Sequence, residues 1–310
     1  MKKLTIIIPC YNEEEVIKES YRRTKQVLLS LPNPTEILYI NDGSQDKTRL
    51  LLNEIADSDP QVKVIHFSRN FGHQPAVTAG INRCTSDLAI IMDADLQDPP
   101  ELIPQILSLQ EQEQANVVYC VRKSREGDNF FKRFTAKMFY RVMNSMSEVK
   151  FPLDTGDFRL IDHKIMAEFG RLQERGKYIR GLISWIGFKQ VPFYYKHETR
   201  VAGQTKYPFN KMLKFASNAL LYFSNKPLKL AMSLGFVAVI IGLILAAWFT
   251  LGKIYGFSNA ESGWTSIVSM IIFFGGVQLL TVGVLGQYIG VLFNEIKARP
   301  EYIIEEERNF

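Results

Sequence analysis

Two aspartates with one residue between them follow a short apolar run and are candidates to hold a metal ion. Residues 88–92 are apolar and predict a buried strand, and Asp93 and Asp95 stand at its carboxyl end. Carboxylates at this spacing repel each other unless a cation or a hydrogen-bond donor lies between them, and hard cations prefer their oxygens. The alternative is a turn in which the aspartates cap the helix that Pro99 and Pro100 begin. The pattern therefore predicts either a divalent-cation site or a capped loop.

The chain up to this point repeats a unit of strand, polar turn and helix. The apolar runs lie at residues 4–9, 36–40, 62–67 and 88–92. The polar turns that follow them lie at residues 10–13, 41–46, 68–73 and 93–98. Strands that alternate with helices predict a parallel, doubly wound sheet whose turns meet at one edge, where ligands of such sheets bind.

The second of these turns suits a nucleotide. Asp42 follows a strand, as does the acidic residue that binds ribose in dinucleotide-binding sheets, so it is a candidate ligand for a uracil or a ribose. Gly43 lets a backbone approach closely. The alternative is an ordinary turn before a helix. The chain contains no phosphate-loop or Gly-x-Gly-x-x-Gly fingerprint, which disfavours a kinase or a dehydrogenase.

Two long stretches in the last third of the chain carry no charged residue. Residues 230–251 make a stretch of 22 and residues 264–293 a stretch of 30. At about 1.5 Å per residue, helices of these lengths cross a hydrocarbon core of about 30 Å. Between them lie a single Lys253 and a single Glu261, whereas most basic residues lie outside this loop, so both chain ends are predicted to be cytoplasmic. A pair of buried core helices is the alternative.

Composition favours a reducing compartment and an anionic membrane surface. The three cysteines, Cys10, Cys84 and Cys120, are scattered and show no metal-ligand spacing. A net charge of +5 without a stripe of basic and aromatic residues fits lipid rather than nucleic acid. Residues 130–143 and 207–228 mix aromatic and basic side chains and predict helices on the membrane surface, with core-packing helices as the alternative.

The polar turns carry motifs that resemble those of an inverting family 2 glycosyltransferase with the GT-A fold. The motifs are IPCYNE at residues 8–13, NDGSQDKT at 41–48, RNFG at 69–72 and DADLQDPP at 93–100. Within that family the chain is similar to the polyprenyl-phosphate glycosyltransferases: dolichol-phosphate mannose synthases and, more closely, bacterial bactoprenol (undecaprenyl-phosphate) glucosyltransferases. The resemblance spans essentially the whole chain. It implies an α/β fold with a Rossmann-like, mostly parallel sheet, followed by two transmembrane helices.

The resemblance implies roles on the donor side of the site. The residues implied to hold the donor nucleotide are Pro9, Tyr11, Glu13, Asp42, Asp93, Arg200 and Lys206. The implied ligands of a Mg²⁺ or Mn²⁺ cofactor are Asp95 and Gln97. The chemistry agrees, because the charge that develops on a departing nucleoside diphosphate needs a cation or an Arg/Lys clamp.

The resemblance also implies roles on the acceptor side. Asp157 is the implied catalytic carboxylate at the reactive carbon of the sugar. It acts either as a base or as an orienting group, because a lipid phosphate with a second pKa near 6 is already largely dianionic. Arg122 and Arg133 are implied to bind the acceptor phosphate. Lys137 is a further candidate, since it lies four residues after Arg133 and would share a helix face with it.

These observations predict a chain of four parts. The parts are a cytoplasmic GT-A glycosyltransferase domain at residues 1–203, a juxtamembrane amphipathic helix at 204–229, two transmembrane helices with a short external loop at 230–293, and a cytoplasmic tail at 294–310. The tail is predicted to form a short strand at residues 299–305 that pairs with a sheet edge in its own or another subunit, so a homo-oligomer is one expectation. The chain is thus predicted to be a multi-pass protein of the inner (plasma) membrane.

The predicted activity is the inverting transfer of a hexose, with glucose as the first choice, from a UDP-sugar to a polyprenyl (undecaprenyl) phosphate at the cytoplasmic membrane face. One alternative is a processive polysaccharide synthase, which the lack of a Gln-x-x-Arg-Trp segment disfavours. The other is a non-catalytic membrane scaffold that binds nucleotide sugars, which the presence of Asp95, Gln97, Asp157 and Arg200 disfavours. Nucleic acid is not an expected partner.

Overall fold

The structure is a computed structural model that describes residues 2–122, 155–175, 177–195, 226–255 and 264–310. The described residues fall into two compact units. The first contains the described residues up to 195 together with the tail Arg299–Phe310, and the second contains the two long helices near the carboxyl terminus. The tail therefore belongs to the first unit, although it follows the second in the sequence.

The first unit is built around a sheet to which the described residues contribute eight strands. The strands are β1 (Leu4–Cys10), β2 (Thr35–Asn41), β3 (Val62–Phe67), β4 (Leu88–Ile91), β5 (Val117–Arg122), β6 (Thr155–Asp162), β7 (Gln190–Tyr195) and β8 (Ile304–Arg308). The helices are α1 (Ile17–Leu29), α2 (Thr48–Ser58), α3 (His73–Arg83), α4 (Ile103–Glu113), α5 (His163–Arg171) and α6 (Ile179–Ile186). The order across the sheet is β7, β5, β6, β4, β1, β2, β3, β8, so the four strands predicted from the repeated unit are neighbours.

These four strands are buried along most of their length, which explains their continuous apolar runs. Every residue of β1 and of β4 is buried. β1 pairs in parallel with β2 and with β4, and β2 pairs in parallel with β3. Parallel strands of this kind are covered on both faces and need no polar alternation. The predicted parallel sheet is confirmed here.

β6 reverses direction and brings a distant segment of the chain to the carboxyl end of β4. It pairs antiparallel with β4, where Ile91 lies opposite Arg159, and antiparallel with β5. Since β6 runs opposite to β4, its first residues lie beside the turn that follows β4. Asp157 is thereby placed near Asp93, and the sheet is mixed but mostly parallel.

The second unit contains α7 (Lys226–Ile254) and α8 (Trp264–Ile296), which contact each other. Among the described residues, α8 carries a segment, Met270–Ile296, that is long and apolar enough to cross a membrane. Among the described side chains of α7, the apolar run is Leu228–Ile244. The structure therefore supports one membrane span, and the second predicted span stays a prediction.

The tail adds β8 to the edge of the sheet, antiparallel to β3. The strand predicted at residues 299–305 therefore begins later, at Ile304, and pairs with a sheet edge of its own chain. The exposed side chains of Glu305 and Glu307 alternate with partly buried ones along β8. Charged side chains on an edge strand oppose the addition of a further strand.

Candidate active site

The turns after β1 and β2 are joined by hydrogen bonds at the carboxyl edge of the sheet. The Asn12 N–H donates to Ser44 Oγ at 3.0 Å, and the Glu13 N–H donates to Thr48 Oγ1 at 2.8 Å. Asn12 adopts a φ of 53°, a left-handed conformation that asparagine tolerates better than most residues. Of the predicted donor-binding residues, Glu13 takes part in these hydrogen bonds, Tyr11 lies next to Asn12 in the same turn, and Pro9 lies near the end of β1.

Asp42 joins the second turn to the third. Its carboxylate accepts hydrogen bonds from the backbone N–H of Phe71 at 2.6 Å and of Gly72 at 2.9 Å. Burial raises the pKa of Asp42 above its ordinary value, and these two amides only partly offset the shift. Gly43, with a φ of 63°, lies against the backbone of Arg69, whose carbonyl carbon would be 2.3 Å from an added Cβ. The close approach predicted at Gly43 is therefore made by the protein's own backbone.

Asp157 is buried and held by two basic side chains. Arg180, in the first turn of α6, donates from Nε to Oδ1 at 2.7 Å and from a terminal nitrogen to Oδ2 at 3.1 Å. His73, at the start of α3, places Nε2 3.0 Å from Oδ2. Burial by itself raises the pKa of Asp157, but the charge of Arg180 and the hydrogen bond from His73 hold it well below its ordinary value. Asp157 is therefore ionised at neutral pH and is a weak base.

His73 connects Asp157 to Asp93. Its Nε2 lies 3.9 Å from Asp93 Oδ1. Burial lowers the pKa of His73, but the hydrogen bond to Asp157 and the negative charges of Asp93 and Asp157 outweigh that effect and raise it to about 9. The imidazole is therefore protonated at neutral pH, and it links the turn after β4 to the start of β6.

Neither His73 nor Arg180 is among the site residues predicted from the sequence. His73 ends the third polar turn, and its place at the carboxyl edge of the predicted sheet was the available signal. Arg180 lies in none of the four motifs. It reaches Asp157 because the fold brings the first turn of α6 beside the first residues of β6.

Arg122, the predicted ligand of the acceptor phosphate, ends β5 and is held by two neighbours. β7 ends beside it, with Tyr195 opposite Arg122. Arg122 Nε donates to the Tyr195 hydroxyl at 3.3 Å, and its terminal nitrogen lies 3.5 Å from Asp98 Oδ1. The Tyr195 hydroxyl in turn donates to Asp98. A Cβ added at Gly156 would lie 2.9 Å from a terminal guanidinium nitrogen of Arg122. The guanidinium therefore packs against the backbone of β6 one residue before Asp157.

The predicted metal ligands lie in the turn after β4. Asp95 Oδ1 accepts a hydrogen bond from the Gln97 backbone N–H at 3.1 Å, and Leu96 between them adopts a φ of 59°. A left-handed conformation at such a residue costs about 1–2 kcal/mol, so the surrounding structure must hold this turn. Burial raises the pKa of Asp93; the positive charge of His73 opposes this shift, whereas the negative charges of Asp157 and Asp95 add to it.

This donor set fits a hard cation. Its atoms are oxygens, and a cation relieves the repulsion between crowded carboxylates. In the part of the chain that the structure describes, no three His, Cys, Asp or Glu side chains converge closely enough to hold a metal by themselves. A Mg²⁺ or Mn²⁺ ion at this turn would complete its coordination with phosphate or water oxygens, as Mg²⁺ commonly does at phosphate sites.

Four predicted site residues lie outside the described residues. They are Arg133, Lys137, Arg200 and Lys206. The first predicted membrane-surface segment, residues 130–143, and residues 207–225 of the second lie outside them too. The roles assigned to these residues stay predictions.

The mostly parallel α/β sheet, with its acidic turn at the carboxyl edge, is a GT-A-like fold. The family model described as Glycosyl transferase family 2 matches residues 5–170, which is more than half of the chain. The chain belongs to Glycosyl transferase family 2 and is a glycosyltransferase. The resemblance carried by the four motifs is thereby confirmed.

Several relatives match nearly the whole chain. The uncharacterized glycosyltransferase YkcC of Bacillus subtilis is 44% identical over 97% of this chain and 93% of its own length. The prophage bactoprenol glucosyl transferase homolog of Escherichia coli is 38% identical over 98% of both chains. The bactoprenol glucosyl transferase of Shigella phage SfV is 37% identical over 99% of both chains. Among solved structures, the mannosyltransferase PcManGT of Pyrobaculum calidifontis, in complex with GDP-Man and Mn²⁺, aligns with a TM-score of 0.45 at 16% identity, over 91% of this chain and 87% of that one.

Proposed function

We propose that the protein transfers glucose, with inversion, from UDP-glucose to a polyprenyl phosphate at the cytoplasmic face of a membrane. Two relatives that match nearly the whole chain are named as a bactoprenol glucosyl transferase and a homolog of one, which supports both the sugar and the acceptor. The observation that carries the proposal is the cluster at the carboxyl end of β4, where His73 joins Asp157 to Asp93. An ionised carboxylate there lies beside the turn proposed to hold the donor diphosphate.

On the donor side, the turns after β1 and β4 bind the nucleotide and its diphosphate. Tyr11, Glu13 and Asp93 are partly exposed at the carboxyl edge of the sheet, whereas Asp42 is buried and positions the third turn. Asp95 and Gln97 would hold the divalent cation. When bound, that cation neutralises the charge that develops on the departing nucleoside diphosphate.

Asp157 acts at the reactive carbon of the sugar without taking a proton. A phosphate oxygen of the lipid forms its bond to that carbon while the bond to UDP breaks, and the electron pair of the broken bond leaves with UDP. The lipid phosphate is already largely dianionic at neutral pH, so no base is needed. Glycosyl transfer passes through a carbon with positive character, which a fixed carboxylate stabilises. Arg180 and His73 keep Asp157 ionised and fix its direction.

On the acceptor side, Arg122 binds the phosphate of the lipid. A guanidinium grips phosphate through paired N–H donors, which a lysine cannot copy. Asp98 and Tyr195 hold this guanidinium beside the start of β6. It lies against Gly156, the residue that precedes Asp157. Arg133 and Lys137, which lie outside the described residues, are proposed to add positive charge for the same phosphate.

The membrane anchor consists of two spans, residues 230–251 and α8, with both chain ends in the cytoplasm. The apolar length of α8 supports the second span. The first span rests on 22 residues without a charge, which is enough to cross a core of about 30 Å. In this arrangement the catalytic unit lies on the cytoplasmic side.

The decisive experiment uses the purified full chain with UDP-glucose, undecaprenyl phosphate and Mg²⁺ or Mn²⁺. We expect UDP release that depends on the lipid phosphate, a product with one glucose, and complete loss of turnover in excess chelator. UDP-galactose, UDP-N-acetylglucosamine and GDP-mannose test the choice of sugar.

Each alternative predicts a different product. A lipid that carries several sugars would indicate a processive synthase, and nucleotide-sugar binding without UDP release would indicate a scaffold. Full activity in excess chelator would contradict the role given to Asp95 and Gln97.

A further inference from the structure

Residues 299–303, the part of the tail between α8 and β8, contact two loops of the first unit. One loop is the third polar turn, which leads from β3 to His73. The other is the segment between α5 and α6, which leads to Arg180. His73 and Arg180 are the two side chains that hold Asp157.

The first contact is a stack of aromatic rings. The Tyr302 ring lies parallel to the Phe67 ring, with centroids 5.0 Å apart and an angle of 9° between them. Phe67 is buried and meets Phe71 edge-on, with centroids 5.7 Å apart. The Ser68 N–H also donates to the Ile303 carbonyl at 3.1 Å. The tail therefore contacts the start of the turn that ends at His73 directly and reaches Phe71 through the Phe67 ring.

The second contact is made by charged groups. Lys177 Nζ lies 3.9 Å from Glu301 Oε2, and both side chains are largely buried. Arg175 donates to the backbone carbonyl of Arg299. Lys177 stands three residues before Arg180, and an ion pair shielded from water is screened much less than an exposed one.

We propose that residues 299–303 form a positioning element for Asp157, in which Tyr302 supports the loop of His73 and Glu301 supports the loop of Arg180. The proposal rests on the proposed function, because Asp157 is assigned there to sugar transfer. A separate set of contacts holds the rest of the tail on the sheet edge. These are the ion pairs of Arg49 with Glu305 and Glu306, of Arg83 with Glu307 and of Arg308 with Asp57.

The kinetic test compares tail variants of the full chain. Tyr302→Ala removes the stacked ring, Tyr302→Phe keeps it, and Glu301→Gln removes the charge with little change of shape. Arg308→Gln is the matched control, since it removes ion pairs that hold β8 on the sheet but involves neither loop. We expect Tyr302→Ala and Glu301→Gln to lower kcat about tenfold, with KM for both substrates within about twofold of wild type. Tyr302→Phe keeps the wild-type kcat, and Arg308→Gln lowers the melting temperature without lowering kcat.

A second readout does not depend on activity. Histidine labelled with carbon-13 gives an NMR signal for His73, which His73→Gln identifies. We expect that signal to shift in Tyr302→Ala and Glu301→Gln but not in Tyr302→Phe or Arg308→Gln.

Two outcomes overturn the positioning role. One is a folded Tyr302→Ala protein with unchanged kcat and an unchanged His73 signal. The other is an equal loss of kcat in Arg308→Gln, which would mean that the tail acts through stability alone. If the wild type transfers no sugar, the proposed function fails, while the His73 signal still decides whether the tail positions this loop.

Discussion

Asp157 lies between two cations, and this environment decides which chemistry it can perform. The charge of Arg180 and the hydrogen bond from His73 keep its pKa well below the ordinary value despite burial. A carboxylate with so low a pKa accepts a proton poorly, but it offers a fixed negative charge. The low pKa favours the proposed role of Asp157 as an orienting group over a role as a base.

Replacing Asp157 by Asn tests this role. We expect kcat to fall about 100-fold, because the neutral amide no longer stabilises positive character at the sugar carbon, with KM for UDP-glucose within about twofold. Asp57→Asn, on an exposed aspartate, is the control and leaves both constants unchanged. An equal loss of donor affinity and of kcat would assign Asp157 to donor binding instead.

His73 makes the stability of the protein depend on pH. Its pKa in the folded state, about 9, lies above the ordinary value of 6.5. The stability that the charged His73 side chain contributes is therefore present in full below pH 6.5 and is lost as the pH rises through about 9. We expect His73→Gln to destabilise the metal-free protein by about 2 kcal/mol at pH 6 and by much less at pH 10.

Melting temperatures of wild type and His73→Gln across this range measure the effect. His163→Gln, on an exposed histidine at the start of α5, is the matched control and should change stability by less than about 0.5 kcal/mol at any pH. A difference between wild type and His73→Gln that stays constant from pH 6 to pH 10 would show that the pKa of His73 is not raised in the folded protein.

Tyr195 positions Arg122 through its hydroxyl group. We expect Tyr195→Phe to raise KM for the lipid phosphate about three- to tenfold and to leave KM for UDP-glucose unchanged, because the guanidinium loses one of two partners. Tyr194→Phe is the matched control, since Tyr194 is exposed on the same strand. If both variants raise KM for the lipid equally, the hydroxyl of Tyr195 does not position Arg122.

At the scale of elements, the site depends on contacts between turns that follow neighbouring strands. The turn after β2 touches the turn after β3 at Gly43. A Cβ at this position would lie 2.3 Å from the carbonyl carbon of Arg69, so only glycine fits there without a clash. Asp42 bonds the same turn through the N–H groups of Phe71 and Gly72. The third turn therefore cannot move without disturbing the second.

Gly43→Ala tests this contact between turns. Gly187→Ala is the matched control, because Gly187 also has a positive φ, 83°, but has no atom within 4 Å of an added Cβ. Both variants incur the left-handed strain, and only Gly43→Ala adds the clash. We expect Gly43→Ala to be less stable than Gly187→Ala by about 1–3 kcal/mol, with a raised KM for UDP-glucose. Equal melting temperatures of the two variants would show that the two turns move apart to fit the added methyl group without a loss of stability.

At the scale of the whole molecule, a catalytic unit and a helical unit share one chain, and the tail returns from the helices to the catalytic sheet. β8 pairs with β3 at the edge of that sheet. In the proposed topology, with two spans, both ends of the helical segment lie on the same side of the membrane, which agrees with the return of the tail to the sheet.

Cysteine labelling tests the number and direction of the spans. In a chain whose native cysteines are replaced by serine, we expect Ser258→Cys to react with a membrane-impermeant maleimide in intact cells, because Ser258 lies in the predicted external loop. Lys164→Cys, on an exposed residue of the catalytic unit, reacts only after permeabilisation. Protection of Ser258→Cys in intact cells would contradict the proposed topology.

Much of the fold could be predicted because its signals are local. The apolar runs of β1 to β4 and the polar turns after them are contiguous in the sequence, and their repetition was sufficient to predict a parallel sheet. The turn with Asp93 and Asp95 could be found in the same way. By contrast, β8 was expected a few residues early, because the residues from Arg299 onward resemble a strand in composition but make side-chain contacts with loops instead.

The sequence by itself determined the family, the acidic turn after β4 and the two charge-free stretches, because each is a pattern among residues that are neighbours along the chain. The tertiary structure alone decided which groups surround Asp157. Arg180 and His73 are distant from it in sequence, and they meet because β6 runs antiparallel to β4 while α3 and α6 begin at the same edge. The tertiary structure also shows that Asp42 and Gly43 contact the turn after β3. Strand order and direction set such contacts, and no local pattern of residues records them.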